Sequence, residues 1–597
     1  MKTLRILIGM PMCAVVLMLG ACVEEPPLNA AANAEPDNDS AMNDATSVNT
    51  SASNQPAQTD NVTDIAEFVL QDDQAVYQAD GYGTVNVIRM LVRTEIEEGP
   101  CEVDNYVGCT LDDIISDIDR NDDFKPNIQV HFTADDYPDD GSISNAVLTQ
   151  RGGSTRLAEQ KSFKIRINDR DSLWRGERTI LLNKHPYEST RIRNKLAFDL
   201  MRNIPNLMSN RSQFVNLWID NGAGAEDYGL FTHIEAPGGN YLERRGLDRD
   251  DRLYKINLFR FDKEDLAKIQ VDGMGQPLDL KRFESSLDIE AGEDHRPLAA
   301  MLEAMEDPDR SFASTLDQYF DADNVLTWMS ANLLLHQTDA VSQNFILYNP
   351  LGTERFYFLP WDYDGGFVKE VEPSIDGTSN SDLQKRAFYG YARGSNSNFY
   401  RDYYRLPGIH QKLLDKATKL HNTFLTTSFA DELAREYESV VEPWVTRSPD
   451  IDHNPNYNAF TVQGLAGTMD SNLEALRTRF SMPVPPELED PELDNDEWVF
   501  RWEPAIELTG SDIRYDLLIA NDTSFSTDSI VFQRSQIEDE SEEIEVRVDA
   551  AQIPSGQHFV RVISRASRDP DRFWQVPHNK YRDDGNTYFG MEAFDVP

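Results

Sequence analysis

Between Asp323 and Gly366 the chain changes its apolar period twice, and that pattern restricts the fold more than any other stretch. Val325, Trp328, Met329, Leu333 and Leu335 recur at helical spacing, and the helix is expected to run out near His336. A polar stretch follows, His336-Gln337-Thr338-Asp339-Ala340-Val341-Ser342-Gln343-Asn344, and then a strand from Phe345 to Tyr348. A turn over Asn349 to Thr353 leads to a second strand, Phe356 to Leu359. That strand ends in Pro360-Trp361-Asp362-Tyr363-Asp364-Gly365-Gly366. Helix, polar loop and a hairpin ending in carboxylates come in that order.

The whole chain has 597 residues, a prior of about four domains. An apolar fraction of 40% and a charged fraction of 27% are ordinary globular values, so most of the chain can bury a core. Charge is the outlier: 103 acidic against 56 basic side chains leave a net charge of −47. Nucleic-acid binding needs a basic face that displaces counterions from phosphates, so nucleic acid is no partner of this chain. Binding to anionic lipid through basic residues is disfavoured for the same reason. Neither His-Glu-x-x-His nor Gly-x-Ser-x-Gly occurs.

Lys2 and Arg5 precede an apolar run from Ile6 to Leu19, which reads as a secretory signal over residues 1–21, too short to span a membrane. It ends in Leu19-Gly20-Ala21-Cys22, which resembles a bacterial lipobox and implies lipidation of Cys22. Cys101 and Cys109 then remain, and an even pair in an exported chain reads as a structural disulfide. So short a closed loop contributes about 2.5 kcal/mol in the chain-entropy model. Residues 22–64 lack aromatic and basic side chains and are expected to form a disordered acidic tether. Residues 65–150 read as a β-rich region. Within it, Asp117-Ile118-Asp119-Arg120-Asn121 begins like a calcium loop, but Asp122 replaces the glycine and Ile128 the closing glutamate. An EF-hand is rejected, and a looser Ca²⁺ site at this acidic loop stands against a solvated turn.

Residues 151–481 carry mixed strand and helix signals. Residues 482–497 read as a Pro- and acid-rich linker, and 498–597 as strands: Ile513, Tyr515, Leu517 and Ile519 alternate, as do Ile544, Val546 and Val548. Trp502-Glu503-Pro504 and the stretch Pro554 to Val562 resemble a fibronectin type III module, a small β-sandwich.

The loop-and-hairpin block resembles a kinase catalytic core, in which an Asp orients the attacking hydroxyl and an Asn after four intervening residues holds metal. Asp339-x4-Asn344 has that spacing, and Asp362 and Asp364 fall where a metal-binding Asp belongs. The middle region as a whole is similar to the spore coat protein H (CotH) kinase family. The resembling stretches are Arg151 to Arg156, Lys161 to Ile165, Ser189 to Ala197, Tyr228 to Glu235, Leu253 to Lys255, and the Asp339 to Asp364 block. The resemblance implies a divergent protein-kinase-like fold using ATP and Mg²⁺ or Mn²⁺ to phosphorylate Ser or Thr of an exported protein.

In the strand around Lys164, Phe163, Ile165 and Ile167 share one face while Ser162, Lys164 and Arg166 share the other. A small residue and a lysine on the cleft side fit a phosphate-binding strand, which favours Lys164 over Lys161. Glu188 and Asp199 are both candidates to pair with it. Asp339 is the candidate catalytic residue, and Asn344, Asp362 and Asp364 are the metal candidates. Glu235 is a candidate at the adenine edge, and Lys255 a candidate for phosphate. Departures from conventional kinases are His336 three residues before Asp339, Val341 in place of a lysine, and no Gly-x-Gly-x-x-Gly before Lys164. The expected molecule is thus a multidomain α+β chain: a kinase-like domain between a β-rich region and a β-sandwich, tethered by lipid to the cell envelope. Val23 offers no inner-membrane retention signal, which favours the outer membrane or cell surface. A non-catalytic surface scaffold or adhesion protein with the same fold is the alternative, since ATP is scarce outside the cytoplasm.

Overall fold

A computed structural model describes residues 70–597 apart from 71, 79–84, 95–108, 119–124, 140, 371–373, 375–376, 389–390, 393, 395–396, 455–456, 458, 539–542 and 584. The signal segment, Cys22, the tether and Cys101 lie outside the described residues. Cys109 lies inside them, buried and disulfide-bonded. Among the described residues no helix is long and apolar enough to cross a membrane.

Seven strands close a barrel: β1 (Val87–Thr94), β2 (Asn127–Ala134), β3 (Ala146–Arg151), β4 (Ser162–Ile167), β5 (Thr179–Asn183), β6 (Ser212–Asp220) and β7 (Ala225–Glu235), in the order β1-β2-β3-β4-β5-β7-β6. Closure is made by β1 lying parallel to β6, from Val87 opposite Phe214 to Arg93 opposite Asp220. Alternation does the sorting. Phe163, Ile165 and Ile167 of β4 enter the barrel core with Met90, Phe132 and Leu217, while Lys164 and Arg166 stay half-buried on the outer face. The boundary expected at residue 150 falls inside β3, whose Arg151 pairs with Ser162. The region read as preceding the kinase-like domain therefore supplies three strands of that domain's barrel.

A second sheet, in the order β11-β10-β8-β9, joins β8 (Arg252–Ile256), β9 (Leu287–Ala291), β10 (Phe345–Asn349) and β11 (Tyr357–Pro360). Helix α1 (Arg193–Met201) lies between β5 and β6 in the chain, and α2 (Ala322–Leu335) precedes β10. Asp321 caps α2 by accepting from Asn324 N at 2.8 Å, and His336 ends it in the left-handed region at φ 51°. Helix α2 is apolar nearly all round because it is the centre of the core. Trp328 stacks on Phe358 of β11 at 4.5 Å between ring centroids. Asn324 donates to Phe358 O at 3.1 Å and accepts from Phe358 N at 2.7 Å, satisfying the backbone of an edge strand. Helices α3 (Asn380–Phe388), α4 (Ile409–Thr423), α5 (Thr427–Val445) and α6 (Ala459–Arg479) follow this sheet in the chain.

The C-terminal unit has two antiparallel sheets around a core of Trp498, Phe500, Trp502, Tyr515 and Val562. One runs β12 (Glu492–Asp494), β13 (Glu497–Trp502), β16 (Ile544–Asp549). The other has β15 (Ile530–Glu538), β14 (Ile513–Ala520), β17 (Gly556–Ala566) and β18 (Trp574–Gln575), with β21 (Glu592–Val596) also on β17. A hairpin of β19 (Lys580–Asp583) and β20 (Asn586–Phe589) stands beside them. The 482–497 stretch does not hang free between these units. Met482 to Pro486 are buried, and Val484 and Leu488 bridge to Ile506 and Trp502. Its prolines pack as apolar surface, so a composition that suggests a linker here makes a strap.

A chain beginning at Arg151 lacks β1, β2 and nearly all of β3, which opens the barrel and bares two strand edges. It is expected to be insoluble or to unfold without a cooperative transition, whereas a chain beginning at Ile65 gives one in differential scanning calorimetry. Equal cooperativity of the two would show that closure by β1 is dispensable.

Candidate active site

The loop after α2 and the turn after β11 meet because the elements that carry them are locked together by Trp328 and Asn324. Phe345 pairs with Pro360 at the base of the hairpin, so Asn344 and the Asp362 turn leave the sheet side by side. The loop is tied to the neighbouring strand as well: Asn344 N donates to Ile256 O at 3.2 Å and Phe259 N to Ser342 O at 2.7 Å. Gly365 of the turn lies against the loop. A Cβ there would lie 3.5 Å from Asp339 Oδ2 and 3.5 Å from Gln337 Oε1. Asp339, Asp362 and Asp364 thus converge on one place.

Backbone strain collects there. His185, His336, Asn344, Asp362 and Phe367 all have φ between 51° and 58°, a region that non-glycine residues seldom adopt. Each such residue costs on the order of 1–3 kcal/mol and persists only where its surroundings hold it, as functional sites do. The holding is visible. Gln337 Nε2 donates to Asp362 O at 2.6 Å, Asn194 Nδ2 donates to Asp362 Oδ1 at 3.2 Å, and Tyr363 N donates to Asn194 Oδ1. His185 Nδ1 lies 3.3 Å from Asp364 Oδ2. Burial, and then the neighbouring Asp364 charge, push the Asp362 carboxyl up to about 6; His185, Asn194 and Arg151 act against that rise.

On the barrel's outer face, register lines up cations. Thr149 pairs with Lys164 and Arg151 with Ser162, while Asn127 pairs with Thr149. Directly opposed residues share a face, so Arg151 and Lys164 project together. Lys125, two positions before β2, continues the row opposite Arg151. Burial, then Lys164 and Arg156, lower the Lys125 ammonium to about 8. Burial also lowers Arg151, against the opposing pull of Asp362 and Glu290. A protein with a net charge of −47 therefore gathers positive charge on this face, and Arg151 acts on the half-buried Asp362.

Other sequence candidates lie differently. Lys255 is held by Asp288, with Glu290 at 3.6 Å; burial acts to lower its ammonium, but these carboxylates raise it. Glu235 is fully buried at the end of β7 in a cage of arginines, accepting from Arg211 Nε at 3.2 Å, Arg244 at 2.6 Å and Arg245 at 2.8 Å. Burial opposes its charge, yet the three guanidiniums hold the carboxyl far below the usual range. Arg245 also pairs with Asp72 at 3.1 Å, which anchors the start of the described chain. Glu188 accepts from Thr190 N at 2.6 Å, and Asp199 pairs with Lys195 at 2.9 Å and accepts from Tyr437. Both carboxylates are thus occupied near α1. Asp117 of the acidic loop is engaged by Arg156, and residues 119–124 lie outside the described set.

Among the described residues no group of three or more His, Cys, Asp and Glu side chains is arranged to hold a metal ion. Asp362, Asp364 and Asn344 offer two carboxylates and an amide. Such a set fits Mg²⁺, which takes one or two protein carboxylates and completes its shell with phosphate and water. Mutual repulsion of the carboxylates is the charge excess a divalent cation would offset. Asn194, His185, Gln337 and Arg151 were not marked as site residues by the sequence pattern. Asn194 and Arg151 had as their signal membership of the resembling stretches, Gln337 its place in the loop, and His185 no signal in the sequence. A cavity of about 880 Å³ between Tyr404–His410 and Glu503–Gly510 contains none of these residues.

The cage makes a prediction that separates structure from recognition. Glu235→Gln leaves guanidiniums unpaired in the interior and is expected to cost about 3–5 kcal/mol of stability in urea unfolding. Nucleotide affinity of the protein that remains folded should stay within about twofold, since the lost interaction is internal. Unchanged stability with weakened nucleotide binding would return Glu235 to the adenine edge.

Comparison with known proteins identifies the family. A model of the family described as CotH kinase protein matches residues 148–478, more than half of the chain. Inner spore coat protein H of Bacillus subtilis (strain 168) is 25% identical over 233 residues, 38% of this chain. The match spans 59% of that relative's length. The crystal structure of a Helicobacter pylori proinflammatory kinase, CtkA, is 11% identical and aligns with 53% of this chain and 93% of that one, at a TM-score of 0.24. With the family model spanning β4 to α6 and including the Asp339 loop and the Asp362 turn, the chain belongs to the CotH kinase protein family.

Proposed function

We propose that the chain is an exported, lipid-anchored kinase that transfers the γ-phosphate of ATP to a Ser or Thr hydroxyl of an extracytoplasmic protein. The observation that carries the reading is the convergence of Asp339 with Asp362 and Asp364 opposite the Arg151–Lys164 face. Export and anchoring rest on the Lys2 to Cys22 segment, and assignment of the C-terminal unit as fibronectin type III-like rests on its two antiparallel sheets.

In this reading Asp339 accepts the proton of the acceptor hydroxyl as its oxygen bonds to the γ-phosphorus. The bond from that phosphorus to the bridging oxygen breaks, and ADP leaves. Arg151 and Lys164 bind the triphosphate oxygens from the barrel side, with Lys125 adding charge behind them. Asn194 and Gln337 keep the Asp362 turn in its strained conformation. His185 orients Asp364. Bound Mg²⁺ at Asp362, Asp364 and Asn344 supplies charge neutralisation for the phosphates.

Labelled ATP, Mg²⁺ or Mn²⁺ and a pool of exported proteins test the proposal. Asp362→Asn is expected to abolish metal-dependent nucleotide binding and transfer together. Asp339→Asn should keep nucleotide binding while transfer falls by about two to four orders of magnitude. Lys164→Ala and Arg151→Ala should weaken binding of ATP more than of adenosine. A wild-type chain that neither binds nor consumes ATP with any divalent ion would leave the scaffold reading in possession.

A further inference from the structure

The chain beyond the Asp362 turn is first fixed by the catalytic region itself. Phe367 N donates to Leu335 O at 2.7 Å, Glu370 N donates to Asn472 Oδ1 at 2.7 Å, and Glu370 pairs with Arg479 at 2.7 Å in the interior. Helix α3 then has 9 residues, too few to persist in water without a partner. Its apolar stripe, Leu383 and Ala387, sits one turn apart on one face.

That face is covered by the C-terminal unit. Leu383 and Ala387 form one apolar cluster with Trp574, Val576 and Phe589. The Arg386 guanidinium lies 3.5 Å from the centre of the Trp574 ring and donates to Trp574 O at 3.0 Å. Gln575 Nε2 donates to Arg386 O at 2.8 Å. Asn380 donates to Thr587 O at 2.7 Å and accepts from Phe589 N at 2.9 Å, and His578 Nε2 lies 2.9 Å from Ala392 O. Both ends of the helical segment are therefore tied to the same unit.

From Ala392 the contacts lead back to the reaction centre. Tyr391 and Tyr404 rings meet edge to face at 5.9 Å, and Tyr404 donates to Tyr391 O at 3.3 Å. Tyr400 stands 6.1 Å from Tyr404, and its hydroxyl donates to Ala340 O at 2.7 Å. Ala340 follows Asp339 directly. From His578 the path runs through Ala392 and its neighbour Tyr391 to Tyr404, Tyr400 and Ala340, by hydrogen bonds, ring contacts and adjacent backbone.

We infer that the C-terminal strand-rich unit is a positioning element of the catalytic region: Trp574, Gln575 and His578 hold α3 and Ala392, and Tyr391 and Tyr400 pass that constraint to the backbone beside Asp339. The unit lies outside the family match, which ends at residue 478. Its effect on transfer rests on the kinase reading above; its effect on backbone order does not.

The experiment compares full-length His578→Ala, Asn380→Ala and Trp574→Ala with wild type. Arg501→Ala, whose ion pairs to Glu492 and Glu545 stay inside the unit, is the control. Hydrogen exchange is read by mass spectrometry in α3 and in residues 336–341, beside phosphoryl transfer and ATP affinity. In the first three variants exchange in both segments should quicken by about tenfold and kcat should fall by about tenfold, with ATP affinity held within about twofold. Trp574→Phe, which keeps a ring face for Arg386, should restore most of the loss, and Arg501→Ala should match wild type. If Trp574→Ala unfolds the unit, the two milder variants decide the matter. Unchanged exchange in α3, or a loosened α3 beside a loop and a kcat like those of wild type, would overturn the inference. If the wild type transfers no phosphate, the kinase reading fails, and linked exchange of α3 and residues 336–341 still decides this one.

Discussion

The site depends on the junction of α2 with the β10–β11 hairpin. Trp328 stacks on Phe358 while Asn324 pairs with the Phe358 backbone in both directions, so helix and edge strand cannot slide past one another. A one-residue slip would turn every β11 side chain to the other face and separate Asp362 from Asp339. The junction lies in the interior, where an unpaired amide would cost roughly 1–3 kcal/mol, so it forms completely or the strand does not dock. Chemistry at this site is a consequence of packing one turn away from it.

Charge is distributed around that frame with opposite logic in two places. At the end of β7, Glu235 is surrounded by Arg211, Arg244 and Arg245, and every partner is inside the protein. Such a cage contributes specificity of assembly and has no use for an outside ligand. At the Asp362 turn two carboxylates repel each other, and the Arg151 guanidinium of the β3–β4 pair acts on Asp362 from the barrel. One cluster is neutralised within itself, and the other leaves two neighbouring carboxylates half-exposed.

Periodicity made part of this legible. The helix before His336, the strands on either side of the Asn349 turn and the alternation around Lys164 all follow from local spacing, and each stands where the sequence suggests. Closure of the barrel by β1 against β6 depends on residues more than a hundred positions apart, which no local period encodes. Asn194 and His185 escaped notice for the same reason: an ordinary asparagine and histidine acquire a role only when α1 and β5 bring them to the Asp362 turn. The prolines of the 482–497 strap carry two readings, chain breaker and apolar surface, and only the neighbouring Ile506 and Trp502 decide between them.

The limits of the family match and the limits of the folded unit do not coincide, and the mismatch has a physical meaning. The match starts at residue 148, inside β3, so β1 and β2 come from sequence outside it and yet close the barrel. It stops at residue 478, just before Arg479, whose side chain pairs with Glu370, and before the strap and the C-terminal sheets that cover α3. What the family shares is therefore the set of elements that present Asp339 and Asp362 to each other. What this chain adds, at both ends, is burial for edges and faces that those elements leave open. Such covering matters because an exposed strand edge or an unpartnered apolar helix face invites pairing with other chains. The additions thus close the barrel at one end of the matched elements and cover α3 at the other.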